Sequence, residues 1–168
     1  DAVMLSAETA AGQYPYEAVN MMDRIVARVE QDTDWRRLTD AARPGPEHSS
    51  AGAIATAARQ VAETIEAEVI ATFSSTGSTT LRVARERPHC PILGLTTSAG
   101  VARRMALIWG VHPLEGNEIH SMTEMVARAT RAAQHEGFAK SGDEVVVTAG
   151  VPFGTPGTTN ALRVAVVK

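Results

Sequence analysis

Residues 73–80 read Phe-Ser-Ser-Thr-Gly-Ser-Thr-Thr. They fall between an apolar run that suits a strand and an amphipathic stretch that suits a helix. Strand ends of this kind face ligand crevices in open α/β sheets. The first N–H groups of the following helix are free, and its dipole favours an anion there. Ser74, Ser75, Thr76, Ser78 and Thr79 add hydroxyl donors, and Gly77 lets the backbone approach closely. Arg82 and Arg85 follow on the helix as candidate counter-charges. Ser74, Ser75, Thr76, Gly77 and Ser78 are therefore the candidate phosphate-binding residues. Serine and threonine are also ordinary helix caps, so the pattern alone leaves both roles open.

A second segment, residues 149–160, reads Ala-Gly-Val-Pro-Phe-Gly-Thr-Pro-Gly-Thr-Thr-Asn. It is longer than a common hairpin turn. Its glycines expose backbone donors, and its prolines limit the disorder to be lost on binding. Gly154, Thr155, Gly157 and Thr158 are the candidate contacts of a loop that closes over a ligand held by residues 74–78; a long hairpin connection is the other reading. A third segment, Met-Leu-Ser-Ala-Glu-Thr-Ala-Ala-Gly at residues 4–12, places Ser6 and Glu8 after an apolar run, where barrel enzymes keep catalytic groups. A capping segment ahead of a helix has the same look. No dinucleotide-binding or Walker-type glycine pattern occurs. The five histidines are scattered, and no Cys/His spacing suits zinc, so His112 and His120 read as surface or loop residues.

Hydrophobic periodicity shows the elements that must hold these loops. Residues 2–5 read as a strand buried on both faces. Pro15 opens a helix whose apolar positions are Ala18, Val19, Met22, Ile25, Val26 and Val29. Residues 31–50, charged and carrying Pro44, Gly45 and Pro46, read as a linker. Beyond it, helices and strands alternate: strands at 69–73, 92–95, 111–114, 144–148 and 162–167, and helices around 54–65, 79–87, 99–108 and 122–136, the last capped by Gly137. This alternation predicts a three-layer α/β/α fold over a five-stranded mixed sheet. The last connection carries no helix, so the fifth strand must run antiparallel to its predecessor.

The 168 residues carry a formal net charge of −3, which gives no electrostatic reason to expect nucleic acid or an anionic membrane surface. Lys140 and Lys168 are the only lysines. The single cysteine, Cys90, excludes an internal disulfide, fits a reducing cytoplasmic compartment, and reads as an inert buried thiol. No apolar run is long enough to cross a membrane, and no secretory leader is legible. The chain opens on Asp1 and runs at once into apolar residues, so a truncated or processed piece of a longer protein is expected.

Residues 1–15, Asp-Ala-Val-Met-Leu-Ser-Ala-Glu-Thr-Ala-Ala-Gly-Gln-Tyr-Pro, followed by Glu17-Ala18-Val19, resemble the pyruvate kinase segment covering barrel strand eight and its following loop. The family often carries glycine where Ala7 stands and lysine where Ala11 stands. Pro91-Ile92, Ala102-Arg103, Trp109-Gly110-Val111-His112-Pro113 and Gly157-Thr158-Thr159-Asn160 resemble that family's C-terminal domain. The resemblance implies a remnant of the catalytic barrel at residues 1–30, a linker at 31–50, and a C-terminal effector-binding domain at 51–168. It also implies a cytoplasmic, homotetrameric parent that transfers phosphoryl from phosphoenolpyruvate to ADP with Mg2+ and K+. Ser6 and Glu8 would border its active site. The catalytic lysine and metal ligands would lie in earlier barrel strands, so this chain alone is expected to be inactive and to bind no metal. Residues 1–14, without the rest of the barrel, are expected to be poorly ordered or re-packed.

The family's effector domain holds a phosphate on the loop matching Ser74 to Ser78. Counting back from Gly137, the Trp and Arg that bind a second phosphate in members activated by fructose bisphosphate fall near Glu118 and Met125. Neither suits a phosphate, so the expected effector is a sugar monophosphate or AMP. A stand-alone, non-catalytic phosphate-binding module is the alternative reading.

Overall fold

The computed structural model describes residues 2–42, 45, 47–153, 155 and 157–168. Two compact units divide the chain, residues 1–43 and 44–168.

The first unit is helical: α1 (Ala7–Ala10), α2 (Pro15–Glu30) and α3 (Thr33–Ala41). Pro15 takes the first turn of α2, where its missing N–H has no partner to lose. Residues 2–5 form no strand, and Val3 and Met4 are exposed. A buried strand needs neighbours, and among the described residues of this unit no other strand provides them. α3 lies within the stretch read as a linker. Asp32 starts it by accepting from the Asp34 N–H at 2.9 Å. Its apolar content is little more than Trp35 and Leu38, too thin a stripe for periodicity to register.

The second unit runs α4 (Ser50–Thr64), β1 (Val69–Phe73), α5 (Ser78–Arg85), β2 (Ile92–Thr96), α6 (Ala99–Met105), β3 (Val111–Glu115), α7 (Met122–His135), β4 (Glu144–Gly150) and β5 (Thr159–Val166). The strands form one sheet in the order β3-β2-β1-β4-β5. The first three neighbour pairs are parallel, while β5 runs antiparallel to β4, as its helix-free connection requires.

Alternation along the strands sorts two cores. Ile70, Ile92 and Val146 face α4 and α5, where Ala55, Ala58 and Ala62 bring α4 close to the sheet. Gly94 shares that face: a Cβ there would meet Thr80 Cγ2 at 3.2 Å and Met105 Cε at 3.3 Å, so its bareness makes room for α5 and α6. Val69, Ala71, Leu93, Val145 and Val147 face the other way, onto Met125, Ala129 and Ala133 of α7. The helix predicted over residues 99–108 stops at Met105, because Leu107 and Ile108 turn back to Arg104 and Met105 in tighter i→i−3 bonds. β4 runs on to Gly150 and β5 begins at Thr159, which shortens the loop expected between them.

Cys90 lies just ahead of β2, next to the α4–α5 core. Burial pushes its thiol up to about 11, with the charges of Glu63 and Glu68 adding to the rise. Only the thiolate reacts. Alkylation by iodoacetamide at pH 7.5, followed by mass spectrometry, should therefore be about a hundredfold slower than for an ordinary cysteine and should recover in urea; an ordinary rate in the folded protein would contradict this account of the site.

Candidate functional site

β1 and β4 lie side by side, with Thr72 opposite Thr148. The helix that follows β1 covers one face of the sheet, and the helix that precedes β4 covers the other. The backbone therefore diverges just beyond the carboxyl ends of these two strands, and such a point leaves a crevice. A cavity of about 650 Å³ occupies it.

One wall is the connection from β1 to α5. Gly77 is the N-cap of α5 with φ +85°, a left-handed conformation that glycine adopts without strain. Its own Cβ position is closed off by Met105 at 3.3 Å and Val101 at 3.5 Å. Ser74 Oγ accepts from the N–H groups of Gly77 at 3.0 Å and Thr79 at 3.4 Å. Thr76 Oγ1 donates to Ser78 Oγ at 3.1 Å. Ser74, Ser75, Thr76 and Ser78 line the cavity; Gly77 is buried and shapes the turn behind them.

The β4–β5 connection forms a second wall. Asn160 closes its base with a reciprocal pair: its Oδ1 accepts from the Val151 N–H at 2.9 Å, and its Nδ2 donates to the Val151 carbonyl at 2.7 Å. Thr158 crosses directly over Gly150, where a Cβ would meet Thr158 Oγ1 at 2.6 Å. Thr155, Gly157 and Thr158 line the cavity, and Gly154 lies outside the described residues. The two loops are joined by buried hydroxyls, Thr79 Oγ1 and Thr159 Oγ1, 2.6 Å apart.

The third wall comes from α7 and the segment before it. Arg128, Arg131, His135 and Glu136 all line the cavity. Their i, i+3, i+7 and i+8 spacing is that of one helix face. Arg128 donates to the Asn117 carbonyl, and Arg131 Nε donates to the Ala127 carbonyl at 3.0 Å. The Glu136 carboxylate accepts from His135 Nδ1 at 2.9 Å and His112 Nε2 at 3.0 Å. These bonds, His135's first, hold its carboxyl below the usual glutamate range. Glu115, Glu118 and His120 line the same wall.

Arg82 and Arg85 do not line the cavity. Arg82, a turn past the loop, instead donates from Nε to both oxygens of Glu47 at 3.0 and 3.1 Å. His120 is exposed and lines the cavity, whereas His112 is tied to Glu136. Glu118 reaches the cavity, but Met125 is fully buried in the core. Ser6 and Glu8 belong to the first unit, where Glu8 Oε2 accepts from the Ser6 N–H at 2.8 Å. Arg128 and Arg131 were not singled out from sequence, because on an amphipathic helix they read as an ordinary solvent face. Among the described residues, no group of three or more His, Cys, Asp or Glu can hold a metal ion, and no helix is long and apolar enough to cross a membrane.

The family model for "Pyruvate kinase, alpha/beta domain" matches residues 52–165. A pyruvate kinase of Methylorubrum extorquens is 44% identical over 167 residues, covering 99% of this chain and 35% of the relative. One from Geobacillus stearothermophilus is 41% identical over 167 residues, covering 99% and 28%. The crystal structure of a pyruvate kinase from Cryptosporidium parvum superposes with a TM-score of 0.85 at 31% identity, over 99% of this chain and 33% of that one. The chain thus spans about a third of the length of the relatives it matches.

Two outcomes follow from the cavity's geometry. Gly150→Ala places a methyl against Thr158 and should cost about 1–3 kcal/mol in urea unfolding, with faster hydrogen exchange over residues 151–158; unchanged stability and exchange would contradict the close crossing. Glu136 has a folded-state pKa below its unfolded value of about 4.5. Its contribution is complete above that pH and is lost as pH falls through the folded pKa. Glu136→Gln should therefore flatten the acid limb of stability against pH below about 4.5; an unaltered limb would contradict the assignment.

Proposed function

The chain belongs to the pyruvate kinase family, and from that premise we propose that its second unit binds a phosphorylated effector in the cavity between β1 and β4. The observation that carries this reading is the β1–α5 loop, whose hydroxyls line the cavity at the start of a helix. A phosphate there would find hydroxyl donors, backbone N–H groups and the positive end of the helix dipole together. Ser74, Ser75, Thr76 and Ser78 would hold it, with Gly77 shaping the turn. Thr155, Gly157 and Thr158 would lie over it from the β4–β5 loop.

The effector in this reading is a sugar monophosphate or AMP, not a bisphosphate. Charge supports that choice. The described residues lining the cavity include three carboxylates, Glu115, Glu118 and Glu136, against two guanidiniums, Arg128 and Arg131. A second phosphate would meet more negative charge than positive. Met125, at one of the two positions counted for a second phosphate site, is buried in the core.

The parent enzyme in this proposal is a cytoplasmic homotetramer that transfers phosphoryl from phosphoenolpyruvate to ADP, giving pyruvate and ATP, with Mg2+ and K+. Residues 1–30 would be the end of its barrel, residues 31–50 the linker, and residues 51–168 the regulatory domain. Both ions would be held by earlier strands of the parent's barrel. Subunit contact finds support in β5, an edge strand with exposed Val164 and Val166.

Calorimetry of the chain should give a dissociation constant for AMP or a sugar monophosphate below that for fructose bisphosphate, and Ser74→Ala should weaken binding about tenfold by removing a hydroxyl donor and the bonds that fix the turn at Gly77 and Thr79. Tighter fructose bisphosphate binding would overturn the monophosphate assignment. The chain alone should show no turnover in a coupled assay with phosphoenolpyruvate, ADP, Mg2+ and K+; any turnover abolished by removing phosphoenolpyruvate would refute that part.

A further inference from the structure

We infer that His112, Glu136 and His135 form a proton-operated clasp: as pH falls from about 7.5 to 5.5 it binds the end of α7 more firmly to the edge strand β3, and so stiffens one side of the cavity. The inference concerns these side chains alone and does not rest on the phosphate reading above.

β3 ends the sheet at one edge. The sheet's share of the core beneath α7 comes mainly from β1, β2 and β4, and at β3 it thins to Leu114, which is only partly buried. A polar link adds to it there. Glu136 is the C-cap of α7, and its two carboxylate oxygens are divided between two imidazoles. Oε2 meets His112 Nε2 from β3 at 3.0 Å, and Oε1 meets His135 Nδ1 from the last turn of α7 at 2.9 Å. The His112 ring is held from a second side by Phe138, edge to face with centroids 5.2 Å apart, and Phe138 packs against the α7-side core. Packing thus positions the ring, which needs no charge to find Glu136.

Charge decides how tightly the clasp holds. A carboxylate at a helix C-terminus faces the negative end of the dipole, whereas an imidazolium there is favoured. A neutral imidazole gives Glu136 one N–H. An imidazolium gives the same N–H and a full positive charge, and such bonds are roughly twice as strong as neutral ones. Histidine ordinarily takes up its proton near pH 6.5. Glu136, held below the usual glutamate range by His135 first and then His112, stays ionised through that interval. Falling pH therefore turns hydrogen bonds into ion pairs, and the clasp loosens only as pH drops further, through the lowered pKa of Glu136. His112 is 42% exposed and His135 85%, which keeps the gain modest. The other charged or titratable side chains along this wall are Arg128 and Arg131 of α7, Glu115 of β3, and Glu118 and His120 of the connection between them. His120 shares the residue type of the clasp's titrating groups and needs its own control. Leu114 and Glu115 of β3 line the cavity, as do His135 and Glu136, so the clasp joins two parts of its lining.

The test is amide hydrogen exchange of the full chain at pH 7.5 and 5.5, expressed as protection factors so that the intrinsic pH dependence of exchange cancels. The N–H groups of Glu136, Gly137, Phe138 and Ala139 close the end of α7 onto the carbonyls of Ala132, Gln134 and Ala133. They should gain about threefold in protection at pH 5.5, while the amides of Ala58 and Ala62 on α4 should stay within about 1.5-fold and show that each variant is folded. Glu136→Gln should abolish the gain. His112→Gln, which keeps an N–H donor but does not titrate, should remove at least half of it, and His120→Gln should leave it intact. No gain in the unaltered chain, a full gain surviving in Glu136→Gln or His112→Gln, or a gain lost in His120→Gln would overturn the clasp.

Discussion

The handedness of parallel crossovers governs this structure. A strand, helix and parallel strand connect in the right-handed sense almost without exception. Moving outward from β1 to β2 and β3, that rule keeps α5 and α6 on one face. Returning past β1 to β4, it sends α7 to the opposite face. Given the sheet order β3-β2-β1-β4-β5, the two separate cores are what the rule requires. The cavity is a consequence. It opens where outward and returning connections part, between the carboxyl ends of β1 and β4, and no residue has to be invented to make it.

Small side chains then set how closely the layers approach. Ala55, Ala58 and Ala62 give α4 a flat face, and Gly94 clears space for Thr80 and Met105. Near the cavity the same economy turns to conformation. Gly77 makes the left-handed turn that begins α5, and Gly150 lets Thr158 pass over β4. The Thr79–Thr159 hydroxyl pair joins the two loops in the interior, so these two walls of the cavity are braced against each other.

The strands were legible because burial on both faces leaves little choice of residue. Val69–Phe73 and Ile92–Thr96 read as apolar runs wherever they occur. The antiparallel fifth strand was legible from an absence, a connection without a helix. The β1–α5 loop was legible because hydroxyls and a glycine between a strand and a helix follow local rules. The α7 wall was not. Arg128, Arg131 and Glu136 have the spacing of any solvent-facing stripe, and only the return of α7 across the sheet brings them to the loop. Arg82 and Arg85 show the opposite error. They stand near the loop in sequence, yet a full turn of α5 carries Arg82 to Glu47.

The two units differ in what they can do with their apolar surface. In the second, large apolar side chains from both sheet faces are fully buried, with Ile70, Ile92, Leu93 and Met125 at 0% exposure. The first has no buried residue among those described, and Val19, Ile25 and Val29 of α2 stand 54%, 50% and 44% exposed. Burial of apolar area is the main source of folding free energy. The second unit therefore holds its shape on its own core, and every wall of the cavity belongs to it. A ligand site that needs preformed loops within a few tenths of an ångström depends on that core, because preorganisation lowers the entropy lost on binding. Ser6 and Glu8 have no such frame: both are exposed, and their hydrogen bonds to each other are local to the first turn of α1. The walls of the cavity therefore lie in the unit that carries a core, while the apolar stripe of α2 stays exposed in a unit with no core among its described residues.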